Sequence, residues 1–399
     1  MKYNFDKIID RRHTNAMKEE GWKNYLFSDK PNLNIPYHND ELIKMWIADM
    51  DFQTAPEIQQ TLKKHIDHGI FGYSKIFDEK YYQIFNEWCA KNYDIIYPPN
   101  QITTSAGIVP AINLLIKLIT KEDEKIVITT PSYAPFANAV KQNNRQLICV
   151  PLLNENDKMT MDFNELEHIF KDEKVKLFIF CNPYNPNGIK WSIKDITKLG
   201  EIAQKNNVWL ISDEIHCDLL RSGVVHNPTA LIIKDYPKLI TCMSVSKTFN
   251  LAGLLISHII IRDEELLKAY NEAKNGNENI LSLVACQAAY QYGQKWLDEL
   301  KSYLDNNFTY LKTFLDKNLP LTNFKIPDAT YLAWVNLAAY TPQDVDLTEW
   351  FATECGVLLE SGSQFVQDGD GYVRLNLACP QEKLVQTLNR LLEGINKKL

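Results

Sequence analysis

A lysine at the end of an apolar run is the residue whose chemistry organises this sequence. Leu239 to Met243 is β-prone and apolar, and it gives way to Ser244, Ser246, Lys247 and Thr248 before Asn250 and Gly253 break the chain again. That pattern reads as a buried strand ending in a polar loop. In an α/β protein ligands sit beyond the carboxyl ends of strands, so Lys247 faces a partly desolvated crevice. Burial lowers a lysine's pKa and frees the amine for Schiff-base chemistry. The hydroxyls of Ser244 and Ser246 suit a phosphate. A lysine after a strand is more often simply solvated, so the reading turns on partners elsewhere.

Four other polar interruptions follow apolar runs. Thr104-Ser-Ala-Gly-Ile-Val-Pro-Ala111 joins a strand to a helix. Its small residues Ser105, Ala106 and Gly107 let backbone N–H groups approach a ligand at a positive helix end, where a phosphate is the natural occupant and a plain tight turn the alternative. Pro131-Ser-Tyr-Ala-Pro-Phe136 holds Tyr133 between prolines, either to stack on a flat heterocycle or to cap the sheet edge. Cys181-Asn-Pro-Tyr-Asn-Pro-Asn-Gly188 packs two Asn-Pro turns after a strand, and an asparagine amide there can donate to a phenolate oxygen. Val208-Trp-Leu-Ile-Ser-Asp-Glu-Ile-His216 leaves Asp213 just past a buried strand, where a carboxylate needs a cation. Phosphate, flat ring, phenolate, ring cation and a lysine-seeking aldehyde belong together in pyridoxal phosphate.

The elements that must hold these loops follow from the pattern of the chain. From about residue 100, β and α segments alternate with short connections, the mark of a parallel sheet covered by helices. Strands are expected at 101–104, 125–130, 146–150, 175–181, 208–212, 239–243 and 256–261, many of them continuously apolar as doubly buried strands should be. Helices are expected at 56–68, 109–119, 163–170 and 192–205, with a long helical stretch over 279–318. Strands at 330–337 and 371–377 and a closing amphipathic helix over 381–397 make a smaller α+β unit. The expected fold class is therefore α/β, a large cofactor-binding domain over 50–290 with a mostly parallel sheet. Residues 1–49, an arm with one short helix, and 291–399 form the second domain.

These motifs resemble fold-type I pyridoxal-phosphate enzymes of the class I/II aminotransferase superfamily, and within it the MalY/PatB type of cystathionine β-lyase, the carbon-sulfur lyase branch. The resemblance runs from Asp10-Arg-Arg-His-Thr-Asn15 to Tyr372-Val-Arg-Leu-Asn-Leu-Ala-Cys-Pro380. It is most specific at Met45-Trp-Ile-Ala-Asp-Met-Asp-Phe52, Gly69-Ile-Phe-Gly-Tyr73, Ser212-Asp-Glu-Ile-His216 and Ser246-Lys-Thr-Phe-Asn-Leu-Ala-Gly253. It implies a PLP-dependent transferase-like fold, Lys247 as the Schiff-base lysine, and Asp213 as partner of the pyridinium nitrogen. It further implies Asn185 at the phenolate, Tyr133 on the ring, and Gly107, Ile108, Ser244 and Ser246 at the phosphate. Tyr73 would reach the phosphate and the substrate of a neighbouring subunit, which implies a homodimer with shared sites. Two departures stand out: Asn187 occupies the usual threonine position of Asn-Pro-Thr-Gly, and Leu255 stands where many aminotransferases place a phosphate-binding arginine.

An amino-acid substrate brings a carboxylate, for which arginine is the bidentate partner. Of seven arginines, Arg374 lies inside an apolar strand, and the resemblance gives it the α-carboxylate. Proton removal at Cα is then followed by one of two fates. Loss of a thiolate from Cβ ends in pyruvate and ammonia, while reprotonation at the cofactor carbon ends in transamination. His216, where aminotransferases commonly have tyrosine, favours the lyase as part of the cofactor shell, although a core histidine bonded to backbone would look the same. Cystathionine and other cysteine S-conjugates are the candidate substrates; an aminotransferase, or a regulatory binding protein on the same scaffold, are the alternatives.

A net charge of -7 argues against nucleic acid or anionic membrane as partner. The start of the chain has no apolar leader and no run is long enough for a membrane span, so a cytoplasmic protein is expected. Eight cysteines without any CxxC spacing read as small buried hydrophobes, and no metal site is expected.

Overall fold

The computed structural model describes residues 2–155, 158–274 and 276–398. One seven-stranded sheet contains β1 (Ile102–Ser105), β2 (Lys125–Thr130), β3 (Gln146–Pro151), β4 (Val175–Cys181), β5 (Trp209–Asp213), β6 (Leu239–Met243) and β7 (Ser257–Ile261). Its order is β1-β7-β6-β5-β4-β2-β3. All neighbours from β3 to β6 run parallel, whereas β7 is antiparallel to both β6 and β1. Two reversals restore the direction, so β1 ends on the same edge as β2, β4, β5 and β6. Leu210, Ile211, Leu239 and Ile240 have no exposed surface, which is why these strands read as unbroken apolar runs.

The loops of interest all leave that one edge. Asp213 pairs in register with Cys181 on one side and Cys242 on the other, so the ends of β4, β5 and β6 are level. The helices behind them start cleanly. Ser192 and Asp195 form a capping box at Ile193–Lys205, and Pro135 sits in the first turn of Ala134–Gln142.

The helical stretch expected over 279–318 is two helices, Ile280–Tyr292 and Gln294–Asn318, meeting at Gly293. A Cβ on Gly293 would lie 2.3 Å from the Phe249 ring and 2.5 Å from the Ala289 carbonyl oxygen, so the junction accepts only glycine. The second helix buries Trp296, Leu297, Leu300 and Leu304 in the core of the large sheet, then Phe308, Leu311 and Leu315 in a second core. That second core lies under a three-stranded antiparallel sheet, β8 (Leu332–Asn336), β9 (Glu360–Ser361) and β10 (Tyr372–Asn376), in the order β8-β10-β9. Leu384, Leu388, Leu391 and Ile395 of the closing helix Gln381–Lys398 fill its other side.

The N-terminal segment carries two short helices, Met17–Glu20 and Trp22–Leu26, where one was expected. Gly21 divides them. Ile43–Lys44 pairs with Val357–Leu358, and Trp22, Leu26 and Phe27 pack with Ala352 and Leu358. The helix Glu79–Tyr93, capped by Asp78, is not among the expected elements, although Tyr81, Ile84, Phe85 and Trp88 recur on one buried face. All eight cysteines are unpaired and seven are buried. Among the described residues no helix is long and apolar enough to cross a membrane, and no group of three or more ligating side chains is arranged for a metal ion.

Gly188 closes the Asn185 loop with φ +69°. Its N–H donates to Tyr184 O at 2.8 Å and its carbonyl accepts from Ala329 at 3.0 Å. A Cβ there would sit 2.5 Å from the Ala329 carbonyl oxygen. Gly188→Ala is therefore expected to cost at least about 2 kcal/mol, from left-handed strain plus the clash, measured as a lowered midpoint in urea unfolding.

Candidate active site

Irregular backbone at residues 46–52 forms one wall of the site, and its polar groups are taken up from several directions. Trp46 O faces Arg374 Nη2 at 3.5 Å, and Asn376 Nδ2 donates to Ile47 O and Asp49 O at 2.6 and 2.5 Å. Asn250 donates to Met50 O and Phe52 O and accepts from Met50 N–H, each at 3.0 Å. Asp49 and Asp51 are held by Arg11, by the fully buried Lys18 and by Lys383. Ala48 O accepts from Lys247 Nζ at 2.6 Å and from Tyr331 Oη at 2.8 Å. Lys247 thus points across the crevice from the end of β6. Burial, and after it the positive charge of Arg374, push its pKa down to about 8.

Asp213 ends β5 and is 5% exposed. One Oδ accepts from the Ile215 N–H at 3.1 Å, and no cation lies within ion-pair distance among the described residues. Burial raises its pKa to about 7 against the pull of that N–H and of Lys247. His216, one turn further on, is buried with Nδ1 unpartnered and its ring edge-on to Tyr331 at 6.5 Å. Burial, then Lys247 and Arg374, lower its pKa to about 3, so the imidazole is neutral. Asn185 Oδ1 accepts from Arg374 Nη1 at 3.0 Å. Tyr133 stands at the start of Ala134–Gln142, with its hydroxyl pKa raised to about 12 by burial and by Glu360.

Arg374, in β10, is 2% exposed, lies 4.9 Å from the Phe365 ring centre and bonds Glu360 of β9. Glu360, Tyr331 and the Ala48 carbonyl are members of the site that sequence reasoning missed. Glu360 had a signal, an acid closing the apolar run Val357-Leu-Leu-Glu360. Ala48 had none, because a backbone acceptor leaves no trace in residue type.

Gly107 and Ile108 open the helix Ile108–Ile119 at the end of β1. Ser244 Oγ donates to Ile256 O at 2.7 Å and accepts from Ser246 N–H at 3.1 Å, with Ser246 Oγ 2.7 Å away. Asn187 accepts from Ile189 N–H at 3.4 Å, and its Nδ2 is buried and unpartnered. Leu255 is left-handed and 60% exposed. Tyr73 stands apart from the others. It is 98% exposed, in a row of exposed apolar side chains with Ile66, Ile70, Phe71 and Phe77.

Pyridoxal phosphate fits this donor set on one observation above the rest: Asp213 is a buried carboxylate without a cation, level with the lysine strand and facing the same crevice. Residues 40–391 match the family model of aminotransferase class I and II. The chain belongs to that family. Within it, the chain is 36% identical to cystathionine β-lyase PatB of Bacillus subtilis, over 97% of this chain and 98% of that protein. It is 30% identical to the protein MalY of Escherichia coli, over 98% and 99%. The crystal structure of a PLP-bound C-S lyase from Staphylococcus hominis superposes with a TM-score of 0.93 at 44% identity, covering 98% of both chains.

The raised pKa of Asp213 gives a signed test in protein stripped of any bound cofactor. The folded carboxyl keeps its proton to about pH 7, while the unfolded one releases it near 4. Stability contributed by the neutral form is thus lost as pH rises through this window. Asp213→Asn should raise the melting temperature at pH 8, by the equivalent of about 4 kcal/mol, and leave it nearly unchanged at pH 4.

Proposed function

We propose that this chain is a pyridoxal-phosphate-dependent carbon-sulfur β-lyase that cleaves cystathionine or other cysteine S-conjugates to a thiol, pyruvate and ammonia. The observation that carries the reading is the meeting of Lys247, Asp213 and Arg374 around one crevice: a buried amine with a loosened proton, a buried carboxylate awaiting a cation, and a buried guanidinium. The names of the relatives, a cystathionine β-lyase and a C-S lyase, support elimination over transamination.

Pyridoxal phosphate, when bound, supplies the electron withdrawal that makes an amino acid's α-proton acidic. In this reading Asp213 would pair with the ring nitrogen and keep it protonated, and Tyr133 would pack against the ring. The Asn185 amide nitrogen would donate to the ring oxygen, its carbonyl being taken by Arg374. The N–H groups after Gly107, including that of Ile108, meet the phosphate at the positive end of a helix, with Ser244 and Ser246 beside them. Arg374 grips the substrate α-carboxylate. Lys247, whose proton affinity is lowered by burial and then by Arg374, would take the α-proton and return a proton to the departing sulfur. His216, neutral, adds no charge that would compete with the ring nitrogen for Asp213.

Tyr73 belongs to a second copy's site in this reading. Five large apolar side chains exposed between residues 66 and 77 support it, since such a patch marks a surface made to be covered.

The first test is pyruvate release from L-cystathionine with no 2-oxo acid added, expected from the wild type and absent from Lys247→Ala. Silence until a 2-oxo acid is supplied, followed by its conversion to an amino acid, would instead make the protein an aminotransferase. The shared site has its own test. Lys247→Ala and Tyr73→Ala, each nearly inactive alone, should recover roughly a quarter of wild-type activity when unfolded and refolded together, because half the dimers then carry one intact site. No recovery on mixing would place Tyr73 outside the partner's site.

A further inference from the structure

The guanidinium of Arg374 already has a carboxylate beside it. Glu360 stands directly opposite Arg374 across β9 and β10, and its Oε2 accepts a hydrogen bond from Arg374 Nη2. Glu360 is 4% exposed. The other donors of Arg374 are distributed around the site: Nη1 goes to Asn185 Oδ1, Nη2 also faces Trp46 O, and Nε is buried with no partner. Tyr25, from the helix Trp22–Leu26, is a close neighbour of Glu360, and its hydroxyl lowers the proton affinity of that carboxylate. Being 41% exposed, Tyr25 reaches from the buried carboxylate to solvent.

An incoming α-carboxylate must share that guanidinium. Two carboxylates on one buried cation disfavour each other's charge, so one of them has to leave or become neutral. Leaving is opposed by the fold: Glu360 is in register with Arg374 and its side chain is buried. We propose that Glu360 is a positioning residue for the substrate, holding Arg374 toward the crevice in the free enzyme and taking up one proton when the substrate's α-carboxylate docks on Arg374. The proton comes from solvent, the new O–H bond forms on Glu360, and the net charge of the site is the same before and after docking. The proposal rests on Arg374 as the carboxylate anchor. Burial raises the pKa of Glu360 while Arg374, Lys247 and Tyr25 pull it down, and Tyr133 is the remaining titratable neighbour that feels its charge. Burial outweighs these neighbours, and the Glu360 carboxyl holds its proton above the ordinary carboxylate range.

The test uses the holoenzyme and 3-(methylthio)propionate, which has the carboxylate and thioether of a substrate but no amino group to react. Titration calorimetry between pH 6 and 9, in buffers of different ionisation enthalpy, counts the protons taken up. Wild type should bind with proton uptake and lose affinity as pH rises, approaching tenfold per pH unit. Glu360→Gln keeps the size and an acceptor for Arg374, and should bind with no uptake and little pH dependence. Tyr25→Phe removes a hydroxyl that favours the charged carboxylate, so its loss of affinity should move to higher pH; this variant carries the test should Glu360→Gln not fold. Equal uptake in wild type and Glu360→Gln, no uptake in wild type, or an unmoved profile in Tyr25→Phe overturns the proposal. Undiminished binding by Arg374→Ala overturns it too, and identifies the anchor as the step that failed.

Discussion

Everything in the site leans on the demand of the backbone between Trp46 and Phe52 for hydrogen-bond donors. The stretch is neither helix nor strand, yet Trp46 and Met50 are buried, so its carbonyls have to be met by side chains. The donors come from far apart in the chain: Lys247 and Asn250 from the loop after β6, Tyr331 near β8, and Arg374 and Asn376 from β10. Satisfying one short segment therefore brings the lysine loop and the substrate-binding strand to the same place.

Charge enforces the arrangement. Lys18, with no exposed surface, is tolerable only because Asp49 and Asp51 both face it, and breaking such a buried pair typically costs about 3–5 kcal/mol. Arg11 reaches both acids and Lys383 reaches Asp51, which ties the N-terminal segment and the closing helix to the wall that carries Ala48. The polarity of the crevice beyond is graded. Burial, with Arg374 adding to it, depresses the proton affinities of Lys247 and His216, while burial holds the proton of Asp213 to about pH 7.

Much of this was legible in the residues, for a physical reason. Strands buried on both faces are unbroken apolar runs, so their ends show as abrupt polar loops, and β2, β4 and β6 have the bounds expected of them. Lys247 and Asp213 stand out because charge is rare there. What was not legible depends on register or on backbone. Glu360 and Arg374 lie fourteen positions apart and become neighbours only through the pairing of β9 with β10. The Ala48 carbonyl has no side-chain signature. The break at Gly293 was written in the sequence as a single glycine, but its necessity comes from Phe249, more than forty residues away.

The helix Gln294–Asn318 is rooted in the core of the large sheet at one end and in the second core at the other. At 25 residues it is a beam roughly 37 Å long. In mechanical terms it forbids shear: sliding one core past the other would drag Trp296 or Phe308 out of its packing. What remains soft is rotation about the beam, together with parts not fastened to it. The short helix bearing Tyr25 is such a part, resting on its own small cluster of apolar contacts.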